Sequence, residues 1–159
     1  MDHERQTAVH EAGHAVIGRA LGVTCHDVSI VPDRPSEDLG YSVMDDPRFS
    51  WERGDGPKRP LAEAFCIALY AGAEAERLIL GTSDVGDGVD CERATDCLTW
   101  AGVRGATFVG DDAYDSREAA LRARARLEVM RRRAVIERVA DALLIHGTLT
   151  GEQVDALLR

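Results

Sequence analysis

Apolar positions recur at helical spacing between Glu4 and Leu21, where Val9, Val16, Ile17, Ala20 and Leu21 fall on one face. Gly22 follows where a C-cap glycine belongs, so a first helix is predicted there. Val28-Ser29-Ile30-Val31 is β-branched and stops at Pro32. A second short strand is predicted over Leu39 to Met44, opened by Gly40 and closed by Asp45-Asp46-Pro47. Residues 45–60 hold Pro47, Pro57, Pro60, Gly54 and Gly56 and read as an irregular surface loop. Pro60 suits a first helical turn, and Leu61, Phe65, Leu69, Gly72, Glu76 and Ile79 follow at helical intervals until Gly81. This second helix is apolar enough to be central. After a Gly- and Asp-rich turn from Gly81 to Gly88, a third helix is predicted from about Val89 to Val103, and a long Arg/Ala helix from about Ser116 to His146. Asp115 and Glu118 are spaced as an N-terminal cap for the long helix, and Val135, Val139, Ala142 and Leu143 form its apolar stripe. Thr150 and Gln153 repeat the capping-box spacing ahead of Val154, Leu157 and Leu158. The pattern predicts a mainly α chain with a small β-sheet, one α+β domain over residues 1–159, with no internal repeat and no linker.

Composition narrows the function classes. The chain has 159 residues, of which 45% are hydrophobic and 30% charged, values ordinary for a soluble globule. Its longest uncharged apolar stretch, Ala64 to Ala73, is far short of the roughly 20 residues needed to cross a bilayer. The first fifteen residues lack a basic-then-apolar signal pattern, and cytoplasmic residence without membrane contact is the expectation. Cys25, Cys66, Cys91 and Cys97 make no CxxC pair, so reduced thiols are expected. Nineteen Lys and Arg against 28 Asp and Glu give a net charge of −9, which argues against nucleic-acid binding. The eight arginines between Ser116 and Arg138 read as a solvated helical face.

Candidate chemistry lies in the first helix, in His10-Glu11-Ala12-Gly13-His14. Residues i and i+4 share a helical face, so both imidazoles can reach one ion at about 2.0–2.1 Å from each nitrogen. Glu11 projects beside that face, where it can take a proton from a metal-activated water without being a ligand. That chemistry is hydrolysis, since zinc polarises a carbonyl and brings a water's pKa toward about 7. A chance match in a chain this long is on the order of one in a few hundred. Gly13 adds a hint, because glycine inside a helix costs about 1 kcal/mol against alanine and has a packing reason where it persists. A catalytic zinc takes a third protein ligand. Ile17 and Ala20 stand where an extended motif would place Gly and His, so that ligand comes from elsewhere. Chemistry alone leaves Glu76, Asp84, Asp87, Asp90, Asp96 and His146 open.

HEAGHAVIGRALG, VSIVP, LGYSVM, ALYAGAEAERLILG and GDGVDCERAT occur here in the same order as in the peptidase domain of FtsH-type ATP-dependent zinc metalloproteases, which the chain resembles over nearly its whole length. The resemblance implies a helical zinc-peptidase domain acting on polypeptides. In that family the third ligand is an aspartate in a segment ending Asp-x-x-x-Ala-Thr, which Asp90-Cys91-Glu92-Arg93-Ala94-Thr95 matches. The resemblance thus implies His10, His14 and Asp90 as the zinc ligands, with Asp87 next in line, and Glu11 as the catalytic base. It also implies that Glu76 orients a ligand histidine, a salt bridge with a nearby arginine being the other reading, and that Gly40 to Met44 is the strand along which substrate can lie.

The family carries membrane anchors and an ATPase module; these 159 residues contain no Gly-x-x-x-x-Gly-Lys-[Ser/Thr] loop, and the expectation is a peptidase domain standing alone. The resulting reading is a zinc metalloendopeptidase that hydrolyses unfolded or short polypeptides, served by a separate ATPase or by self-association. Two alternatives remain: a catalytically silent interaction module of the same fold, and a regulatory protease of the ImmA type that cuts one dedicated partner. Trp51, Trp100 and Tyr70 read as packing residues, and His3, His26 and His146 as surface or satisfied polar groups.

Overall fold

The computed structural model describes residues 3–32, 39–49, 59–82, 88–102 and 112–159. Helix α1 (His3–Ala20) is followed by strands β1 (Cys25–Ser29) and β2 (Tyr41–Met44), then by α2 (Arg59–Ala75), which continues into one π-helical turn (Glu76–Leu80). Helices α3 (Gly88–Trp100) and α4 (Asp112–His146), strand β3 (Thr148–Leu149) and helix α5 (Gly151–Leu157) complete the order. The expected class is observed, a helical body with one small antiparallel sheet. No described helix is long and apolar enough to cross a membrane.

Helix α1 is as central as α2, because α2, α4 and the sheet all pack around it and every residue from Glu11 to Gly18 is buried. Small side chains make this possible. A Cβ on Gly13 would stand 2.7 Å from the Ala71 carbonyl oxygen, so the missing side chain lets the α1 and α2 backbones touch, which is the packing reason its sequence position implied. Burying Val9, Val16 and Ile17 on the same helix contributes roughly 1.5–3 kcal/mol each. Arg19 then fastens the end of α1: its Nε donates to Asp155 Oδ1 at 2.7 Å and its Nη2 to the carbonyls of Cys25 and His26 at 3.1 Å.

The sheet runs β2-β1-β3 and is antiparallel throughout, with Ser29 opposite Tyr41 on one side and Thr148 on the other. The first strand sits earlier than its Val28–Val31 pattern suggests. Its partners decide this: Cys25 pairs with Met44, and pairing with β3 ends at Ser29. Two residues are too few for a readable period, so β3 exists only because β1 offers it a ladder.

Helix α4 begins at Asp112, so Asp115 lies inside it and is not the expected cap. Its backbone leaves helical geometry at Arg132 (φ −114°, ψ 15°). Much of its arginine run is spent on ion pairs: Arg122 with Glu118 and Arg124 with Glu128 at 2.8 Å, Arg133 with Glu137 at 3.0 Å, and Arg117 with Glu63 of α2. The capping box of α5 forms as spaced, with Thr150 Oγ1 accepting from Gln153 N and Gln153 Oε1 accepting from Thr150 N. Tyr70 is fully buried and Trp100 packs on the core, whereas Trp51 and most of the proline-rich loop lie outside the described residues.

Candidate metal centre

His10 and His14 stand one turn apart on the α1 face that meets α2, and their Nε2 atoms approach to 2.9 Å. Asp90, in the first turn of α3, brings Oδ2 to 3.2 Å from each of them. Ligand bonds of about 2.0–2.1 Å in a tetrahedron place neighbouring donor atoms roughly 3.3 Å apart, so the three atoms already approximate one tetrahedral face. All three lie within 4.8 Å of one another. Space for them comes from α2. A Cβ on Gly72 would stand 2.6 Å from His14 Nε2 and 2.8 Å from His10 Nε2, so only a glycine leaves this cradle open.

The other ring nitrogens are held as well. His14 Nδ1 donates to the Ala68 carbonyl at 2.8 Å, and a carbonyl can only accept. His10 Nδ1 donates at 2.5 Å to Glu76 Oε1, while Gln6 Nε2 donates to Glu76 Oε2 at 2.6 Å. With protons fixed on Nδ1, both rings turn their Nε2 atoms toward each other and toward Asp90, the edge a metal would take once any proton there is displaced. Glu76 is 2% exposed and sits where α2 widens into its π turn, before Gly81 ends the helix at φ 70°. The nearby Arg77 pairs with Glu74, so Glu76 is given to the histidine and the salt-bridge reading is set aside.

These carboxylates make the metal-free cluster a proton trap. Burial lowers the proton affinity of His10, but hydrogen bonds to Asp90 and Glu76 and the charge of Glu11 outweigh it and hold its pKa up to about 10. Burial pushes the Asp90 carboxyl up, and the charge of His14 with hydrogen bonds from both histidines more than reverses this, keeping it well below the usual carboxylate range. A dication would take the place of those protons and satisfy the same donors.

Glu11 is buried beside the histidines, and with them it lines an open pocket of about 490 Å³. Gly40, Tyr41 and Ser42 line the facing wall. A Cβ on Gly40 would meet Thr7 Cγ2 at 2.7 Å, Ser29 O at 2.8 Å and Glu11 Cγ at 3.1 Å, so this glycine lets β2 enter hard against α1. Among the described residues β2 is an edge strand, with Tyr41 and Val43 more than 40% exposed.

No family model matches the chain. Curated relatives do: it is 29% identical to the ATP-dependent zinc metalloprotease FtsH of Photobacterium profundum, over 99% of this chain and 27% of that protein. It is 33% identical to FtsH 1 of Symbiobacterium thermophilum and 31% to FtsH 3 of Sorangium cellulosum, over 96% and 98% of this chain and 28% of each relative. Over nearly its whole length the chain is therefore similar to one part of the FtsH proteins. It spans less than a third of the length of these relatives, each of which is named a zinc metalloprotease.

Of the six open third-ligand candidates, the FtsH-like fold brings Asp90 to the histidines and puts Glu76 behind one of them. Asp96 is exposed on another face of α3, 3.4 Å from Arg48, and His146 is exposed at the end of α4. Asp84 and Asp87 lie outside the described residues. Cys91, next to Asp90, is half-buried and accepts from Arg122 Nη2 at 2.9 Å. Sequence reasoning missed Gly72, Gln6 and the Ala68 carbonyl. Gly72 carried a signal, since a glycine inside so apolar a helix calls for a close approach just as Gly13 does.

Proposed function

We propose that this chain is a single-domain, zinc-dependent metallopeptidase that hydrolyses peptide bonds in unfolded or short polypeptides, with His10, His14 and Asp90 as metal ligands and Glu11 as the catalytic base. The observation that carries this reading is the convergence of two Nε2 atoms and one carboxylate oxygen, with both Nδ1 atoms anchored from behind. Zinc held by His10, His14 and Asp90 would supply Lewis acidity toward the scissile carbonyl and would make a water more acidic. The protein's own groups do the rest. Glu11 takes a proton from the water that adds to the carbonyl carbon and delivers it to the leaving amine nitrogen as the C–N bond breaks, so the carboxylate is regenerated. Glu76 and the Ala68 carbonyl keep both imidazoles in the Nδ1–H form. The edge of β2 left unpaired among the described residues offers an extended peptide backbone hydrogen bonds beside Glu11, which favours unfolded or short chains over folded ones. Unfolding of larger substrates would fall to an ATPase outside these 159 residues.

The test is metal content by mass spectrometry together with cleavage of denatured casein and a peptide library, with wild type beside Glu11→Gln. One zinc per chain in both proteins, with cleavage in wild type alone, is expected. Zinc without cleavage in wild type would overturn the peptidase in favour of an interaction module. Cleavage confined to one dedicated protein would favour a regulatory protease.

A further inference from the structure

Among the described residues the pocket at the metal centre is lined by one arginine, Arg93, three residues after Asp90 on α3. Residues i and i+3 are neighbours on a helix, so Arg93 springs from the face of α3 that carries Asp90. Yet Asp90 is taken by the two histidines, and Glu76 by His10 and Gln6. Among the described residues Arg93 makes no hydrogen bond or ion pair; its guanidinium carbon lies 5.4 Å from the centroid of the buried Phe65 ring, which steadies the head without neutralising it. This stands out in a chain of net charge −9, where Arg5, Arg19, Arg48, Arg59 and Arg77 each have a carboxylate within 3.1 Å. An unmatched, half-buried arginine in a binding pocket is a carboxylate receptor, because its fork of N–H donors fits a planar carboxylate in two parallel bonds.

We propose that Arg93 is a specificity-determining residue that binds a carboxylate of the peptide substrate near the scissile bond. The inference rests on the peptidase reading above and deepens it. One helical turn plus the length of an arginine side chain lets the guanidinium reach positions within roughly 10 Å of the metal ligands. An extended peptide advances about 3.3 Å per residue, so the carboxylate belongs within about three residues of the cleaved bond. It comes either from an Asp or Glu side chain or from a free C-terminus, and exposed Leu39, Tyr41 and Val89 around the pocket supply apolar contact for neighbouring side chains.

The experiment pairs fluorogenic peptides carrying Glu or Gln at each of three positions on either side of the cleaved bond, each with a C-terminal acid or amide. Cleavage by zinc-loaded wild type and Arg93→Gln is measured, with binding of the same peptides to zinc-loaded Glu11→Gln protein, with and without Arg93→Gln, followed by fluorescence anisotropy. Arg93→Gln is expected to weaken the favoured carboxylate peptide about ten-fold more than its neutral counterpart, in KM and in Kd more than in kcat, with partial rescue by Arg93→Lys. Dependence on Glu at one position identifies a side-chain carboxylate, and dependence on the free terminus identifies a C-terminal one. Equal losses for charged and neutral peptides, or wild type indifferent to peptide charge, overturn the inference while leaving the peptidase intact. Arg93-dependent binding without cleavage overturns the peptidase and with it the placement beside a scissile bond, while sustaining Arg93 as the carboxylate contact for a bound peptide; absence of both binding and cleavage overturns the two together. Should Arg93→Gln fail to fold, the wild-type comparison of Glu and Gln peptides across ionic strength decides, since a preference for the carboxylate that shrinks with salt supports the contact and its absence rejects it.

Discussion

Replacing Gly72 by alanine separates metal binding from folding more cleanly than replacing a ligand. The new Cβ would lie 2.6 Å from His14 Nε2 and Cε1 and 2.8 Å from His10 Nε2. Ordinary contact begins near 3.5 Å, so each ring must retreat by about 0.7–0.9 Å. Both rings can do so, because the atoms struck are the tips of side chains. Metal bonds tolerate only about ±0.2 Å, however, so the retreat removes the ligand geometry that the 2.9 Å and 3.2 Å separations now provide. The same change raises helix propensity by about 1 kcal/mol, against roughly 1–3 kcal/mol for local overpacking. Chelator-treated Gly72→Ala is therefore expected to melt close to chelator-treated wild type. Zinc is expected to raise the melting temperature of wild type alone, and competition with a chromophoric chelator should give the variant an affinity at least about 100-fold weaker. A Gly72→Ala protein that binds zinc as tightly as wild type would refute the reasoning, since the cradle would then not be shaped by that missing side chain.

Glu76→Gln keeps an acceptor near His10 Nδ1 but removes its charge, and zinc affinity by the same competition assay is expected to fall about 10- to 100-fold, with an unchanged value counting against an orienting role. Metal-free protein should lose stability as pH rises: His10 is held at about 10 when folded against 6.5 when unfolded, so the stabilisation is complete below 6.5 and disappears as pH rises through about 10. Between pH 6.5 and 8.5 this amounts to a loss on the order of 2 kcal/mol in chelator, smaller with zinc bound, readable in urea melts; a gain over that range would contradict the sign. Gly13→Ala sets its Cβ against the Ala71 carbonyl, backbone that cannot swing aside, so a lower urea midpoint by about 1–3 kcal/mol is expected even in chelator, and a stabilised variant would show that α1 and α2 can separate freely.

Sequence alone determined what local spacing controls. Helical period placed His10 and His14 on one face, the Thr150 and Gln153 spacing produced the cap of α5, and Gly22 and Gly81 ended helices at φ 80° and 70°. Each depends on residues within a few positions of one another, where backbone sterics and hydrogen bonding dominate. Tertiary structure decided everything that joins distant segments. Residue chemistry and spacing left six side chains open as the histidines' third companion, and Asp90 was singled out only by resemblance; the packing of α3 against α2 is what carries it there while turning Asp96 away. Glu76 could have met an arginine or a histidine, and the contact of α1 with α2 and its π turn gave it His10. Strand β3, the early register of β1 and the start of α4 at Asp112 were not legible, because strand pairing and the packing around a helix override weak local preference. The glycines mark the boundary between the two kinds of information. Gly13 and Gly72 are visible in the sequence as positions that ought to have a reason, but the reason is a carbonyl in one case and two imidazoles in the other, and both lie more than fifty residues away along the chain.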